Sequence, residues 1–326
     1  MGLLSIAFQT NKRPEEYVEF ARLAERAGFD TVSVYHDLFF QPAIHALLLM
    51  AGATERVRLG PAALNPYTLH PIEIAGQIAA VDAASGGRAY LGLVRGTWLD
   101  ELGIDTARPL PRIREGVEVI QRLLAGDRSG FAGAHFTLAP GAGLRYEPVR
   151  RQVPLLIGTW APRLAAYAGT VADEVKIGGT ANPDLVPLMR EQIGNAGVGL
   201  VVGAVCVVDE DGQAARRRAR AEAALYFGTV ARLDPTLDVA DHVVGEVERL
   251  ARAGNADAAG ALIPDELLDR IAFSGTPEQV VRQVEALFEA GASRVELGTP
   301  HGLDDRGGVE LLARRVAPAF ASTSAR

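Results

Sequence analysis

Residues 60–96 read "GPAALNPYTLHPIEIAGQIAAVDAASGGRAYLGLVRG". This stretch starts at the end of one apolar, strand-like run, "VRLGPA", and closes on a second, "RAYLGLV". Between them lies a helical pattern, "PIEIAGQIAAVDAAS". A strand, a helix and a strand in this order form a β-α-β unit, and the crossover makes the two strands parallel.

The same unit repeats along almost the whole chain. The strand-like runs are "LLSIAF", "TVSVY", "VRLGPA", "RAYLGLV", "PLLIG", "DEVKIG", "GLVVGAVCVV" and "SRVELG", and amphipathic helical stretches separate them. Parallel strands and helices in strict alternation, eight of each, predict a (β/α)8 TIM barrel. A doubly wound open sheet is the alternative arrangement of the same elements.

Two stretches interrupt the alternation within what we interpret as a single domain over residues 1–326. Residues 127–153, after the fourth helix, are expected to form a lid or hairpin insertion. Residues 229–272, before the eighth helix, are expected to form a helical insertion. Long insertions in a barrel commonly carry function, so both are predicted to shape a substrate pocket or a subunit contact.

Composition narrows the class of protein. The formal net charge is −7, and the basic run Arg216-Arg217-Arg218 lies among Glu and Ala in a helical pattern, which indicates a solvated face and no nucleic-acid partner. No run approaches the roughly 18 apolar residues of a membrane span, and no basic leader precedes the first strand. A soluble, cytoplasmic protein without a membrane partner is therefore expected.

Cysteine and histidine usage argues against a metal site. Cys206 is the only cysteine, so an internal disulfide and a thiolate cluster are excluded. The six histidines show no ligand spacing. We predict no metal.

Strand alternation suggests what lines the barrel. In "DEVKIG", Glu174, Lys176 and Gly178 share one face, while Val175 and Ile177 share the other. If the apolar face packs on the helices, the lumen is lined by small and polar side chains. Such a lumen either contacts a ligand through Lys176 or holds structural ion pairs such as Glu174–Lys176.

Barrel active sites lie at the carboxyl ends of the strands. The residues there are rich in aromatics and glycine and poor in carboxylates, unlike a hydrolase or a metal site. They are Gln9; Tyr35, His36 and Asp37; Ala62 to Tyr67; Arg95 to Trp98; Gly158 to Trp160; Lys176 to Thr180; and Gly298 to His301. The aromatic candidates for substrate contacts are Tyr35, Phe39, Tyr67 and Trp98.

Two of these loops have the composition of an anion site. "LLIGTWAP" offers Thr159 as a cap before Pro162, so that the amides at a helix start face outward. "KIGGTANP" offers Gly178 and Gly179 for close backbone approach, with Asn182-Pro183 opening the next helix. Each loop alone could be a tight βα turn; together they favour a phosphorylated ligand. "GGRAYLGLVRG" lacks dinucleotide-binding spacing, and its glycines are expected to leave room for a planar ring.

Four segments together resemble a known family. They are "GPAALNPYTLHP", "SGGRAYLGLVRG", "VPLLIGTWAPRLAAYAGTVADEVKIGG" and "FSGTPEQVVRQVEALFEAGASRVELGTPHG". In this order they resemble the bacterial luciferase-like superfamily of flavin and deazaflavin oxidoreductases. The nearest branch looks like methylenetetrahydromethanopterin reductase and its relatives, which use coenzyme F420.

The resemblance implies a ring cofactor in the barrel mouth, its phosphate near Gly158–Ala161, and a non-proline cis peptide at Ala62-Ala63. It also implies a homodimer. The cofactor-binding candidates are Ala62, Ala63, Asn65, Gly96, Thr97, Gly158, Thr159, Trp160, Ala161, Lys176, Gly178 and Gly179.

The chain also departs from the family pattern. Relatives often end the second strand with Asp-His, where this chain has His36-Asp37. Relatives frequently carry an acid after the fourth-strand glycine, where this chain has Thr97-Trp98. His36 and Asp37 therefore remain the candidates for catalytic proton handling, or for a hydrogen bond to the ring edge.

These observations leave several functions open. The first is hydride transfer between F420 and a small organic substrate. The second uses FMN and oxygen on the same scaffold, as a monooxygenase. The third, from another class, is a lyase that forms a Schiff base through Lys176. A barrel that only binds its ligand is the remaining alternative.

Overall fold

The computed structural model describes residues 2–321. Strands and helices alternate along the chain in the predicted order. The strands are β1 (Leu3–Phe8), β2 (Thr31–Val34), β3 (Arg58–Pro61), β4 (Leu91–Val94), β5 (Phe131–Ala132), β6 (Thr137–Leu138), β7 (Leu155–Gly158), β8 (Glu174–Gly178), β9 (Gly199–Val208), β10 (Ala272–Gly275) and β11 (Arg294–His301).

The helices lie outside the strands and cover them. They are α1 (Pro14–Ala27), α2 (Ala43–Ala51), α3 (Pro71–Ala84), α4 (Pro109–Ala125), α5 (Pro162–Val171), α6 (Leu185–Ile193), α7 (Gly212–Leu233), α8 (Asp241–Arg252), α9 (Ala256–Ala261), α10 (Asp265–Ile271), α11 (Pro277–Glu289) and α12 (Asp305–Leu311). Short 3-10 turns cover Leu99–Leu102 and Ala317–Ala319, and a π-helical turn covers Leu312–Val316. No helix within residues 2–321 combines the length and the apolar character needed to cross a membrane.

Eight parallel strands form a barrel in the order β3-β2-β1-β11-β9-β8-β7-β4. Bridges from Leu59 to Ala89 and from Leu64 to Leu93 join β3 to β4, so the ring is nearly closed. The predicted TIM barrel is confirmed, and the open sheet, which would have left β3 and β4 as edges, is not formed.

The strand β10 was not predicted from the sequence. β10 pairs in parallel with the last four residues of β9, beginning at Ala272 and Val205. Its four residues, "AFSG", are too short for an alternation pattern. β10 extends one side of the barrel where the second insertion returns to it.

The first insertion, residues 127–153, contains the antiparallel hairpin of β5 and β6. The carboxylate of Glu115 on α4 accepts the backbone N–H groups of Ala134, His135 and Phe136, at 3.0, 2.7 and 3.1 Å. This contact ties the hairpin turn to the barrel.

The second insertion packs on α7 around an apolar cluster of its own. The cluster is centred on Phe227, Val247, Leu268 and Ala259, all with 0–1% of their surface exposed. The predicted boundary at residue 229 falls inside α7, because that helix continues through Gly228 and Thr229 to Leu233. α7 therefore belongs to both the barrel and the insertion.

Buried ion pairs fill the barrel near the amino ends of its strands. Arg294 on β11 is fully buried and donates two hydrogen bonds to Glu174, at 2.9 and 2.8 Å. Its third nitrogen donates to Ser5 at 3.1 Å. Arg58 lies 3.7 Å from the same carboxylate.

A second group of polar and charged side chains lies nearer the carboxyl ends of the strands. Lys176 donates to Glu296, and Ser33 donates to the other oxygen of Glu296 at 2.5 Å. Tyr90 and Ser33 share a hydrogen bond of 2.7 Å. The structural-network interpretation of the lumen is correct, but its pairing differs: Glu174 binds Arg294, and Lys176 binds Glu296.

Glycine 92 lets β3 and β4 approach each other. A Cβ at Gly92 would lie 2.1 Å from the carbonyl oxygen of Pro61 and 3.1 Å from Cβ of Ala63. The space that sequence analysis assigned to a planar ring is therefore filled, at this position, by the neighbouring strand.

Replacing Gly92 with alanine is expected to lower the free energy of unfolding by about 1–3 kcal/mol, the usual cost of overpacking a core. Urea denaturation measures the change. Gly245→Ala in α8 is the matched control, since its Cβ would meet nothing within 4 Å. There alanine should be neutral or stabilising by about 0.5–1 kcal/mol. Equal effects of the two substitutions would contradict the proposed close approach.

Candidate active site

One half of the barrel mouth is built from small residues. β3, β4, β7 and β8 are neighbours in the barrel, through the β3–β4 bridges and the shared ladders. Small residues stand at or just beyond their carboxyl ends: Ala62, Ala63, Gly96, Gly158 and Gly178. A Cβ at Gly178 would meet nothing within 4 Å. This half forms a wall that a planar ring can approach.

The Ala62-Ala63 peptide is cis, as the resemblance implied. Beyond it, the Leu64 amide donates to the carbonyl of Gly92 at 3.0 Å, which joins this segment to β4. Ala62 and Ala63 are each half-buried. Their methyl groups contribute to the wall without filling the mouth.

Asn65 and Gly96 lie together beside this segment. The side-chain oxygen of Asn65 accepts the amides of Tyr67 and Thr68, at 3.1 and 2.9 Å, and so closes its own loop. Gly96 has φ 97°, and its Cβ would lie 3.3 Å from the Asn65 amide nitrogen. Thr97, next in the chain, is exposed.

The loop after β7 leads into the ten-residue helix α5. The cap residue is Ala161 and not Thr159, which instead accepts the Ala161 amide on its hydroxyl at 2.9 Å. The Trp160 indole donates to the Gly178 carbonyl at 3.2 Å. Exposed Ala161 thus opens a helix start that faces the mouth, with the positive end of the helix dipole beside it.

The loop after β8 differs from this arrangement. The amides of residues 179–182 all donate within the protein, to Gly203, Arg270 and the hydroxyl of Thr180. The Asn182 side chain donates to Asp234 at 2.8 Å. This loop therefore anchors the second insertion, and what it offers a ligand is the open space at Gly178.

Asp37 is held by Gln9 at the opposite half of the mouth. The Gln9 amide donates to Oδ2 of Asp37 at 2.7 Å, while its oxygen accepts the Thr10 amide at 2.8 Å, which fixes the orientation of the carboxamide. Burial raises the pKa of Asp37, and the Gln9 hydrogen bond and the charges of His36 and Lys176 oppose that rise. A carboxyl group with a raised pKa can hold a proton for transfer.

His36 is bound to the start of α2. Its Nδ1 accepts the amide of Ala43, the first residue of α2, at 3.2 Å. Burial lowers the pKa of His36, which keeps the ring neutral near pH 7. Of the two catalytic candidates, only Asp37 has the pKa shift of a proton donor.

The predicted aromatic residues fall into two groups. Tyr35 lies in the lumen with Lys176 Nζ 5.3 Å from its ring centroid, and burial raises its pKa. The Tyr67 ring is covered by the guanidinium of Arg112 at 4.7 Å, which ties it to α4. Phe39 and Trp98 instead lie at the rim, and Phe39 is 71% exposed.

Tyr226 is a further aromatic residue at the mouth, and the sequence did not predict it as a site residue. It lies on α7, with its ring centroid 6.1 Å from that of Trp98. Burial, together with the charge of Asp37, raises the pKa of Tyr226 to about 12. A helical pattern does not reveal where an inserted helix crosses a barrel mouth, so no signal pointed to this residue.

The histidine at the end of β11 is not accessible to a ligand. His301 is fully buried, and its Nε2 lies 3.0 Å from the Ala7 carbonyl of β1. Burial lowers its pKa to about 4, so the ring is neutral. In the part of the chain that the structure describes, no three His, Cys, Asp or Glu side chains group as a metal site.

Fold and mouth together define a luciferase-like (β/α)8 barrel. The family described as luciferase-like monooxygenase matches residues 3–294, and the chain belongs to this family.

Particular relatives match over nearly their whole length. A 5,10-methylenetetrahydromethanopterin reductase of Archaeoglobus fulgidus is 29% identical, over 96% of this chain and 98% of its own. An F420-dependent glucose-6-phosphate dehydrogenase of Nocardia farcinica is 28% identical, over 98% of each chain. The structure of the coenzyme F420-dependent tetrahydromethanopterin reductase of Methanopyrus kandleri superposes with a TM-score of 0.83, at 24% identity over 98% of this chain and 99% of its own.

Proposed function

We propose that this protein is an oxidoreductase that transfers a hydride between coenzyme F420 and a small organic substrate in the barrel mouth. The asymmetry of the mouth carries the proposal. In one half of the mouth, the strand ends carry alanine and glycine, which leave room for a planar ring. In the other half, Asp37 accepts a hydrogen bond from Gln9. The F420-dependent relatives support the choice of cofactor.

The residues present fit such a cofactor. The wall of small residues, which includes Ala62 and Gly178, would contact the ring. The loop from Gly158 to Ala161, at the start of α5, would bind its phosphate. When bound, the deazaflavin supplies the carbon that gives or takes the hydride. The chain's own tasks are to orient the ring and substrate, to exclude water, and to hold a proton at Asp37.

FMN with oxygen is the second candidate. The description of the family as luciferase-like monooxygenase favours it. A Schiff-base lyase is disfavoured by the geometry, because Lys176 is 8% exposed and ion-paired with Glu296, whereas a nucleophilic amine must be accessible and uncharged.

Titration of the cofactor-free protein with F420 and with FMN distinguishes the two candidates. We expect F420 to bind at least about tenfold more tightly, a difference of roughly 1.4 kcal/mol. Gly178→Leu should abolish F420 binding and leave the unfolding midpoint unchanged, since the position opens onto free space. Tighter binding of FMN than of F420 would overturn the choice of cofactor.

We also propose a cytoplasmic homodimer. Leu48 and Leu49 on α2 are 37% and 40% exposed. A second copy that covers α2 would remove this apolar surface from water.

A further inference from the structure

Two aromatic residues at the rim adopt a backbone conformation that bulky side chains avoid. Phe39 has φ 69° and Trp98 has φ 58°, both in the left-handed region. Non-glycine residues hold this conformation only where the surroundings impose it, and such residues concentrate at ligand sites. At 71% exposure, the Phe39 ring gains little from packing within the chain.

Trp98 and Tyr226 face each other from different parts of the fold. Trp98 follows β4, beside the wall of small residues, and Tyr226 comes from α7. Their ring centroids lie 6.1 Å apart with the planes inclined by 49°. The pair therefore reaches from the wall to the helix that carries the second insertion.

The second insertion fixes the position of Tyr226. Arg216 on α7 donates to Asp269 of α10 at 2.6 Å, and Arg232, at the end of α7, binds Glu248 of α8. Tyr226 itself is 37% exposed. Ion pairs between α7 and the second insertion therefore fix the position of Tyr226 at the mouth. The exposed part of its ring is available for contact with an apolar molecule.

We propose that Trp98 and Tyr226 form an aromatic clamp that binds a planar, apolar part of the organic substrate, with Tyr226 as a specificity-determining residue. This inference rests on the proposed function, in which the substrate binds in the mouth. Aromatic rings stack on planar conjugated groups and gain less from saturated rings of the same size. The substrate class is thus a hydride acceptor, such as a ketone, that carries a conjugated ring.

Two ketones of matched size test the clamp: acetophenone, with a flat phenyl ring, and cyclohexyl methyl ketone, with a puckered saturated ring. Calorimetric titration gives the Kd of each for the F420-loaded protein and for the cofactor-free protein. Acetophenone is expected to bind roughly 2- to 12-fold more tightly, the range of one aromatic stacking contact. Tyr226→Ala should erase this preference, and Tyr226→Phe should keep it.

Leu225→Ala is the matched control, because Leu225 is the neighbouring residue on α7 and is 55% exposed. It should leave the preference intact. Equal binding of the two ketones, binding of neither, or a preference that survives Tyr226→Ala would overturn the clamp. Failure of the proposed function is seen separately, as failure of F420 to bind, and the cofactor-free titrations still judge the clamp in that case.

Discussion

Replacing Arg294 with methionine is expected to lower the free energy of unfolding by about 3–5 kcal/mol, the usual cost of breaking a buried ion pair from one side. Arg294 is fully buried and donates to both oxygens of Glu174 and to Ser5. It also lies 3.5 Å from Glu296. Among residues 2–321, the ion pair left to Glu174 would then be the longer one with Arg58, at 3.7 Å.

Urea denaturation measures this loss, and Arg306→Met is the matched control. Arg306 pairs with Glu19 and Glu310 on the surface, where its side chain is 63% exposed. Such pairs contribute about 0–1 kcal/mol. The double variant Arg294→Met/Glu174→Gln should recover part of the loss, because it removes the uncompensated charge. A cost for Arg294→Met no larger than that for Arg306→Met would show that the lumen network does not stabilise the barrel.

The barrel could be predicted from sequence because the β-α alternation is local. Its lumen pairs could not, although Arg294 and Glu296 share a face of "SRVELG" just as Glu174 and Lys176 share one of "DEVKIG". Which side chains meet across a barrel depends on the stagger between strands, and one strand's pattern does not contain it. In the structure, Glu174 and Lys176 therefore each pair with a residue of β11, Arg294 and Glu296, and not with each other.

The two anion-site loops show the same limit. Both have a glycine near the strand end and a polar residue before the next helix, and the loop after β7 leads to α5 at the exposed residue Ala161. The amides of residues 179–182 are used by partners such as Arg270, far along the chain. Local composition therefore predicts a turn at both sites. Whether the backbone amides of a turn are free to bind an anion depends on residues distant in the sequence.

Asp37→Asn is expected to slow the reduction of a carbonyl acceptor by reduced F420 by about 10²–10⁴-fold, the usual contribution of a general acid. Hydride addition leaves negative charge on the acceptor, and a protonated Asp37 can neutralise it. Asparagine keeps the size and the contact to Gln9 but has no proton to transfer. The rate is followed as loss of reduced F420 with the acceptor that reacts fastest.

The pH dependence separates this role from a structural one. Because burial raises the pKa of Asp37, its protonated form persists to higher pH, and the reduction rate should fall as pH rises through that pKa. Gln9→Leu removes a hydrogen bond that favours the carboxylate, so the fall should move to higher pH. Asp37→Asn should lose this pH limb altogether. Asp100→Asn, an exposed carboxylate of the turn after β4, should change neither rate nor profile. An unchanged profile in both Gln9→Leu and Asp37→Asn would rule out Asp37 as the proton donor.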